Sequence, residues 1–243
     1  MSYPTLRLHP RKEESVLRFH PWIFSGAIAS FSDPVEDGDL VSVVDSKGRP
    51  LGTGHFGGGS IAVRLLSFDA EEVIDRAFYK RRLEAALRLR LSCDLVRPVG
   101  SSDSPNTTYR LVHGEGDSLP GLIIDIYDRT AVVQAHSLGM HQARQTIAEV
   151  LWEVFAEAGD PVLPLEGIYY KSETTLPTRD MRELASDGFL IGHTEAAPIY
   201  ENGVRFTPDW LKGQKTGFFI DQRDNRALVA HYAKGRTVLN AFC

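Results

Sequence analysis

Cysteine is nearly absent from this sequence. Cys93 and Cys243 are the two present, too few for a disulfide framework, and a reducing cytoplasm is the expected compartment. No apolar run is long enough to cross a bilayer, so no membrane partner is expected. The opening stretch MSYPTLRLHPRKEE is basic but has no apolar block behind it, and is not read as a secretory leader. Internal repeats and low-complexity tracts are also missing. A positive net charge is lacking too: the balance is -5, which does not by itself suggest a nucleic-acid partner. What remains is an ordinary globular composition, 42% hydrophobic and 24% charged, which argues against disorder.

The charge is unevenly placed. Arg76, Lys80, Arg81, Arg82, Arg88, Arg90 and Arg97 crowd one stretch, offset nearby only by Glu84 and Asp94. Arg7, Arg11, Lys12 and Arg18 form a second basic cluster. Local patches on an acidic protein can hold phosphates, although charge alone favours a solvated helix face.

Periodicity gives the organisation. Short apolar runs such as LVSVVD and IAVRLLSF alternate with turn signals over residues 1–70, as in a small β-barrel. Residues 71–92 form an amphipathic connecting helix with Val73, Ala77, Leu83, Leu87 and Leu91 on its apolar face. Residues 93–198 read as an α+β domain. TYRLVHG, GLIIDIYD and TAVVQAHS make two successive hairpins, and a helix over 139–157 stops at Gly159. GIYYKSE and GFLIG are candidate strands. Residues 199–243 carry an Asn202-Gly203 hairpin and then a helix with Asp221 as cap and Asp224 in a capping-box position. The apolar run Val238-Leu239-Asn240-Ala241-Phe242 closes the chain as a strand. A helix leading into an apolar strand is how a doubly wound sheet begins, with its ligand site at the strand's carboxyl end.

Several residues have competing readings. Phe218 and Phe219 suit a core, Asp221 a cap, and Arg223 an ion pair. The same residues could instead wall a nucleotide pocket, with N–H groups at a helix start. His113, Glu115 and Asp117 alternate, but lie among Gly114, Gly116 and Pro120, so turn capping is favoured over a metal site. Trp22 and Phe24 are expected in the barrel core, with Arg18 and His20 nearer the surface. Arg64 sits in an alternating strand and is expected to point outward, and the GHFGGGS loop could let backbone approach phosphate. Cys243 is not favoured as a nucleophile.

KTGFFIDQRDNR followed by VLNAFC resembles the entry to the catalytic domain of bacterial S-adenosylmethionine (SAM)-dependent methyltransferases acting at position 5 of a cytosine in large-subunit ribosomal RNA. HPWIFSGAI, DLVSVVDSKGRPLGTGHF and IAVRLLSF resemble that family's N-terminal PUA domain, an RNA-binding barrel. GEGDSLPGLIIDIYD and IYENGVRF resemble its central α+β domain. The resemblance implies cofactor contact by Thr216, Gly217, Phe218, Phe219, Asp221, Gln222, Arg223 and Asn240. It implies ribosomal RNA as partner, contacted by Arg18, His20, Lys80, Arg81, Arg82 and Arg88. Family members continue past VLNAFC with a Tyr-Thr-Gly-Gly loop, an Asp-Pro-Pro motif and the attacking cysteine. The expectation is therefore a truncated, inactive chain holding the incomplete start of a Rossmann-like sheet, its catalytic residues lying beyond Cys243. KSETTLPTRDMRELASDGF is more polar and acidic than the family's usual segment. A noncatalytic RNA-binding module is the alternative. An unpaired edge at Val238 would invite a homodimer.

Overall fold

A computed structural model describes residues 3–101, 103–177 and 186–241. Residues 178–185 of the polar segment singled out above, and the terminal Phe242 and Cys243, lie outside the described residues.

The N-terminal unit holds β1 (Thr5–Leu8), α1 (Glu14–Leu17), β2 (Trp22–Phe24), β3 (Ile28–Phe31), β4 (Leu40–Val44), β5 (Pro50–Phe56) and β6 (Ile61–Ser67). They form one sheet in the order β2-β6-β5-β4-β1-β3, with β1 parallel to β4. Alternation drives it: in β4, Val41 and Val43 are fully buried while their neighbours are half-buried. Ile23 of β2 and Ile28 of β3 pack on the same core as Leu6, Leu8, Val63 and Leu65, so the sheet curls around one centre. Its end strands β2 and β3 are not hydrogen-bonded to each other, so the expected barrel is a curled sheet. Phe24, expected in the core, is 52% exposed, and Trp22 is only partly buried, its indole N–H donating to Glu115 Oε1 at 2.7 Å. In β2 it is the intervening Ile23 that faces inward.

The connecting helix α2 runs Arg76–Ser92, five residues shorter at its start than the apolar pattern suggested. Asp75 ends the preceding extended segment and accepts from the Phe78 N–H at 2.9 Å, fixing the N-terminus there. Val73 is consequently 61% exposed, and the buried stripe is Phe78, Tyr79, Leu83, Ala86, Leu87 and Arg90.

The central unit comprises β7 (Thr108–His113), β8 (Leu122–Tyr127), β9 (Thr130–Ala135), α3 (Leu138–Gln142), α4 (Arg144–Ala158), β10 (Gly167–Tyr170) and β11 (Gly188–Gly192). The sheet order is β11-β10-β9-β8-β7. β7, β8 and β9 form the two expected hairpins, and α3 and α4 carry the chain over to β10, parallel to β9. The single helix expected over 139–157 is two, broken at Ala143, with Gly159 (φ 64°) ending the second. The helices α2 and α4 cover one face of this sheet. On the other face Trp210, Ile199, Phe206 and Phe218 pack on Tyr127, Val132 and Tyr169. Cover on both faces explains why β9 and β10 are buried at every position.

Beyond the sheet, β12 (Ile199–Glu201) and β13 (Val204–Phe206) form a hairpin through Asn202 (φ 49°) and Gly203 (φ 82°). A 3-10 turn, Ile220–Gln222, leads into α5 (Arg223–Ala233). Asp221 does not cap this helix. Gln222 is its N-cap, without a side-chain cap bond, because the turn carries the Asp221 carboxylate to the Gln222 amide instead. Residues 237–241 form no strand and are exposed. A strand exists only by pairing, and this run is in none of the described sheets. The sheet edge on which a homodimer was expected is therefore missing from the described residues.

Candidate cofactor turn and nucleic-acid surface

The motif segment 215–226 is anchored by a buried polar chain. Asp125 in β8 is fully buried, with Arg110 of β7 donating to it through Nε at 2.8 Å and Nη2 at 2.9 Å. The Thr216 hydroxyl donates to Asp125 Oδ2 at 2.6 Å and accepts from the Tyr127 hydroxyl at 2.8 Å. Thr216 is itself fully buried, so its polar capacity goes to the central sheet and not to a ligand. Gly217 follows at φ 115°. A Cβ there would lie 2.6 Å from Trp210 Cα and 2.7 Å from Asp209 O, so glycine lets the turn close on the preceding loop.

That loop has its own anchor. Lys171 at the end of β10 is buried, and its Nζ donates to the carbonyls of Trp210 and Gly213, each at 2.6 Å. Burial pushes its pKa down, against the weaker upward pull of Asp187 and Asp209. Lys171→Met is expected to cost about 1–3 kcal/mol, since two carbonyls lose their partner. Urea denaturation measures the loss, and limited proteolysis reports a looser 209–217 loop.

The rest of the motif divides into packing and exposed residues. Phe218 is half-buried, 5.1 Å from Phe206 between ring centres, with Arg226 4.4 Å above its ring. Arg223 donates to Thr108 O and lies 3.6 Å from Glu201. Arg226 grips the buried Glu201 through Nε at 2.7 Å and Nη2 at 2.6 Å, pinning α5 to the β12–β13 hairpin. Phe219, by contrast, is 41% exposed, with Lys215 Nζ 4.6 Å above its ring. Asp221 and Gln222 are exposed beside it, and the Gln222 amide donates to Asp221 at 3.0 Å. That bond, with Lys215 and Arg110 nearby, holds the Asp221 carboxyl below the usual range. Asn240 is exposed on the terminal segment. Thr216, Gly217, Phe218 and Arg223 are thus taken up by packing, while Phe219, Asp221 and Gln222 share one open surface.

The apolar side of α5 stands in solvent. Leu228, Val229 and Tyr232 are 54%, 60% and 65% exposed. Between α5 and the hairpin lies an open cavity of about 600 Å³, with Val204, Phe206, Val229 and Ala230 in its wall.

The basic face of α2 is largely neutralised, by acids of α4 distant in sequence and by Glu72 just before the helix. Arg76 pairs with Glu153 at 2.5 Å and Lys80 with Glu157 at 2.7 Å, both on α4. Arg81 and Arg82 share Glu72, and Arg82 also stacks on Phe78 at 5.0 Å. Arg90 makes a two-pronged pair with Asp117, which also accepts from the His113 N–H. Arg88 is the exception: 69% of its side chain is exposed and its Glu84 partner is 3.9 Å away. In the N-terminal unit Arg18 and His20 are exposed, with His20 Nδ1 accepting from the Trp22 N–H at 3.2 Å.

Residues 6–68 match a family model described as a PUA-like domain, so the curled sheet is of that class. Over nearly the whole chain, relatives named ribosomal RNA large subunit methyltransferase I are similar in sequence. The protein of Shewanella amazonensis is 39% identical over 241 residues, 98% of this chain and 57% of that protein. That of Shewanella denitrificans is 40% identical, again across 98% of this chain and 57% of its own length. The chain therefore spans a little over half the length of the curated relatives it matches. A solved structure from Streptococcus mutans, assigned as a SAM-dependent methyltransferase, superposes with a TM-score of 0.73 at 20% identity. It covers 96% of this chain and 55% of that one, and at such identity the likeness is one of fold.

Proposed function

We propose that this chain is the RNA-recognition half of a SAM-dependent methyltransferase of large-subunit ribosomal RNA, working in the cytoplasm and modifying position 5 of a cytosine. The observation that carries the reading is the division of KTGFFIDQRDNR into a buried anchor and an exposed trio, on a chain similar over 98% of its length to rRNA methyltransferases. In this reading residues 1–70 are the RNA-binding unit, 71–92 the connecting helix and 93–198 the central domain. Residues 199–243 are then the entry to the catalytic domain.

Phe219, Asp221 and Gln222 fit part of what the cofactor needs. An exposed aromatic face suits adenine or a sulfonium, and an exposed carboxylate suits ribose hydroxyls or an ammonium. SAM, when bound, supplies the electrophilic methyl group. This chain's part is to hold the exposed trio in place through Asp125, Thr216 and Lys171. The solvent-facing apolar side of α5 is the surface against which further βα units of a doubly wound sheet pack. On this reading the target base is unstacked to reach the pocket.

The test uses the longest product of this reading frame with labelled SAM and unmodified large-subunit rRNA, followed by nucleoside mass spectrometry. 5-methylcytidine is expected; a different methylated nucleoside overturns the cytosine assignment. Asp221→Ala is expected to weaken SAM binding about tenfold, the loss of one charged hydrogen bond. Unchanged affinity by calorimetry removes Asp221 from the pocket.

A further inference from the structure

Arg64 is a half-buried cation whose nearest opposite charge is Glu115. It lies in β6, opposite Trp22 of β2 and His55 of β5, so these three side chains share one face. Its stem crosses to the central unit: Arg64 Cδ lies 3.6 Å from where a Gly121 Cβ would stand, just before β8. Among the described residues its guanidinium makes no hydrogen bond or ion pair, in contrast to Arg76, Arg81, Arg90, Arg110 and Arg226.

Two cavities meet at this side chain. One, of about 280 Å³, is bounded by His55, Asp37, Ser137 and the Gly57-Gly58-Gly59-Ser60 loop. The other, of about 250 Å³, is bounded by Trp22, Glu115, Gly121 and His136. The two acids nearby are already engaged, Glu115 by the Trp22 indole and Asp37 by the Gly58 N–H at 2.6 Å. In the first wall His55 Nδ1 is buried and has no hydrogen-bond partner among the described residues. Burial lowers the pKa values of both Arg64 and His55.

A half-desolvated guanidinium with only the Glu115 charge nearby and no hydrogen-bonded acceptor is costly, and an arriving anion relieves that cost. The three-glycine rim presents no side chains to obstruct a polymer backbone. Phe24, 52% exposed on the adjoining strand β2, offers a ring on which a base can stack. We infer that the cleft between the PUA-like unit and the central sheet holds a backbone phosphate of the RNA strand, with Arg64 as its ligand. This rests on the functional reading above and adds to it the place where the strand crosses the two units.

The test is Arg64→Met, which keeps the apolar stem and removes the charge. Binding of unmodified large-subunit rRNA is measured over a salt series. Affinity at low salt is expected to fall on the order of tenfold, and the log–log salt slope to flatten by about 0.7–0.9, one phosphate contact. Arg64→Lys is expected to restore the slope. The melting temperature of Arg64→Met is expected to equal or exceed the wild type's. A lower one, with RNA binding unchanged, makes Arg64 a structural residue and overturns the inference. Inorganic phosphate supplies an independent arm: it is expected to shift the Arg64 Nε–H resonance of the wild type. If the wild type binds no RNA, the functional reading fails, and the phosphate titration still decides the site. No shift there overturns it.

Discussion

Asp125→Ala is expected to destabilise the protein by about 3–5 kcal/mol and to release the 215–226 motif from the central sheet. Asp125 is fully buried and takes two hydrogen bonds from Arg110 and one from Thr216. Its removal leaves the Arg110 charge uncompensated with 30% of its side chain exposed, and leaves the Thr216 hydroxyl without an acceptor. Thermal unfolding should shift down on the order of 10 °C for a chain of this size. Hydrogen exchange separates this from general weakening, because amides of 216–222 should lose protection while those of β1–β6 keep theirs. Thr216→Val probes the same chain more gently. It keeps the shape, removes one donor, and is expected to cost about 1–2 kcal/mol. If Asp125→Ala melts like the wild type, the motif is not held by the central sheet.

Stability is also expected to fall as the solution is acidified, through His55. Its ring packs so closely on Gly139 that a methyl group there would overlap it. Burial, with Arg64 adding repulsion, brings its pKa down from 6.5 to about 4. The unfolded chain thus takes up this proton first as pH falls. The stability His55 contributes is complete above 6.5 and is lost between about 6.5 and 4. A shift of that size corresponds to about 3 kcal/mol. His136 and His141 are also lowered by burial and slope the same way. The His55 share is therefore isolated by comparing wild type with His55→Gln in denaturant melts at pH 7 and pH 4. The variant's loss between the two is expected to be smaller by about that amount. Equal losses place His55 in solvent contact.

The parts of the fold that the sequence made legible are those set by neighbouring residues. The hairpins around Asp128-Arg129 and Asn202-Gly203 need only turn chemistry and alternation, and both form. Elements that depend on distant partners were harder to see. The basic face of α2 read as free because Glu149, Glu153 and Glu157 arrive from α4, about 70 residues on. The run 238–242 is as apolar as a buried strand, yet 238–241 join no sheet and stand exposed, because apolarity alone does not supply a pairing partner. Helix α2 starts at Arg76 and not Glu71 because a single cap, Asp75, outweighs the hydrophobic pattern before it.

The candidate site was legible as a motif and not as a division of labour. KTGFFIDQR mixes residues left exposed with residues that fasten the turn, and only packing separates Thr216 from Phe219. Asp125, the residue on which that turn rests, was passed over inside LIIDIYD. A carboxylate within an apolar strand was the available signal, since a charge placed there demands a partner. Lys171 at the end of IYYK carries the same signal.

Recognition of large-subunit ribosomal RNA by this chain is the proposal on which the rest depends. Its most direct test is the affinity of this protein for unmodified large-subunit rRNA, measured between about 50 and 200 mM salt against an unrelated RNA of equal length. Binding that weakens steeply with salt and favours the ribosomal strand is the predicted result. Affinity indifferent to salt, or equal for both RNAs, would contradict it.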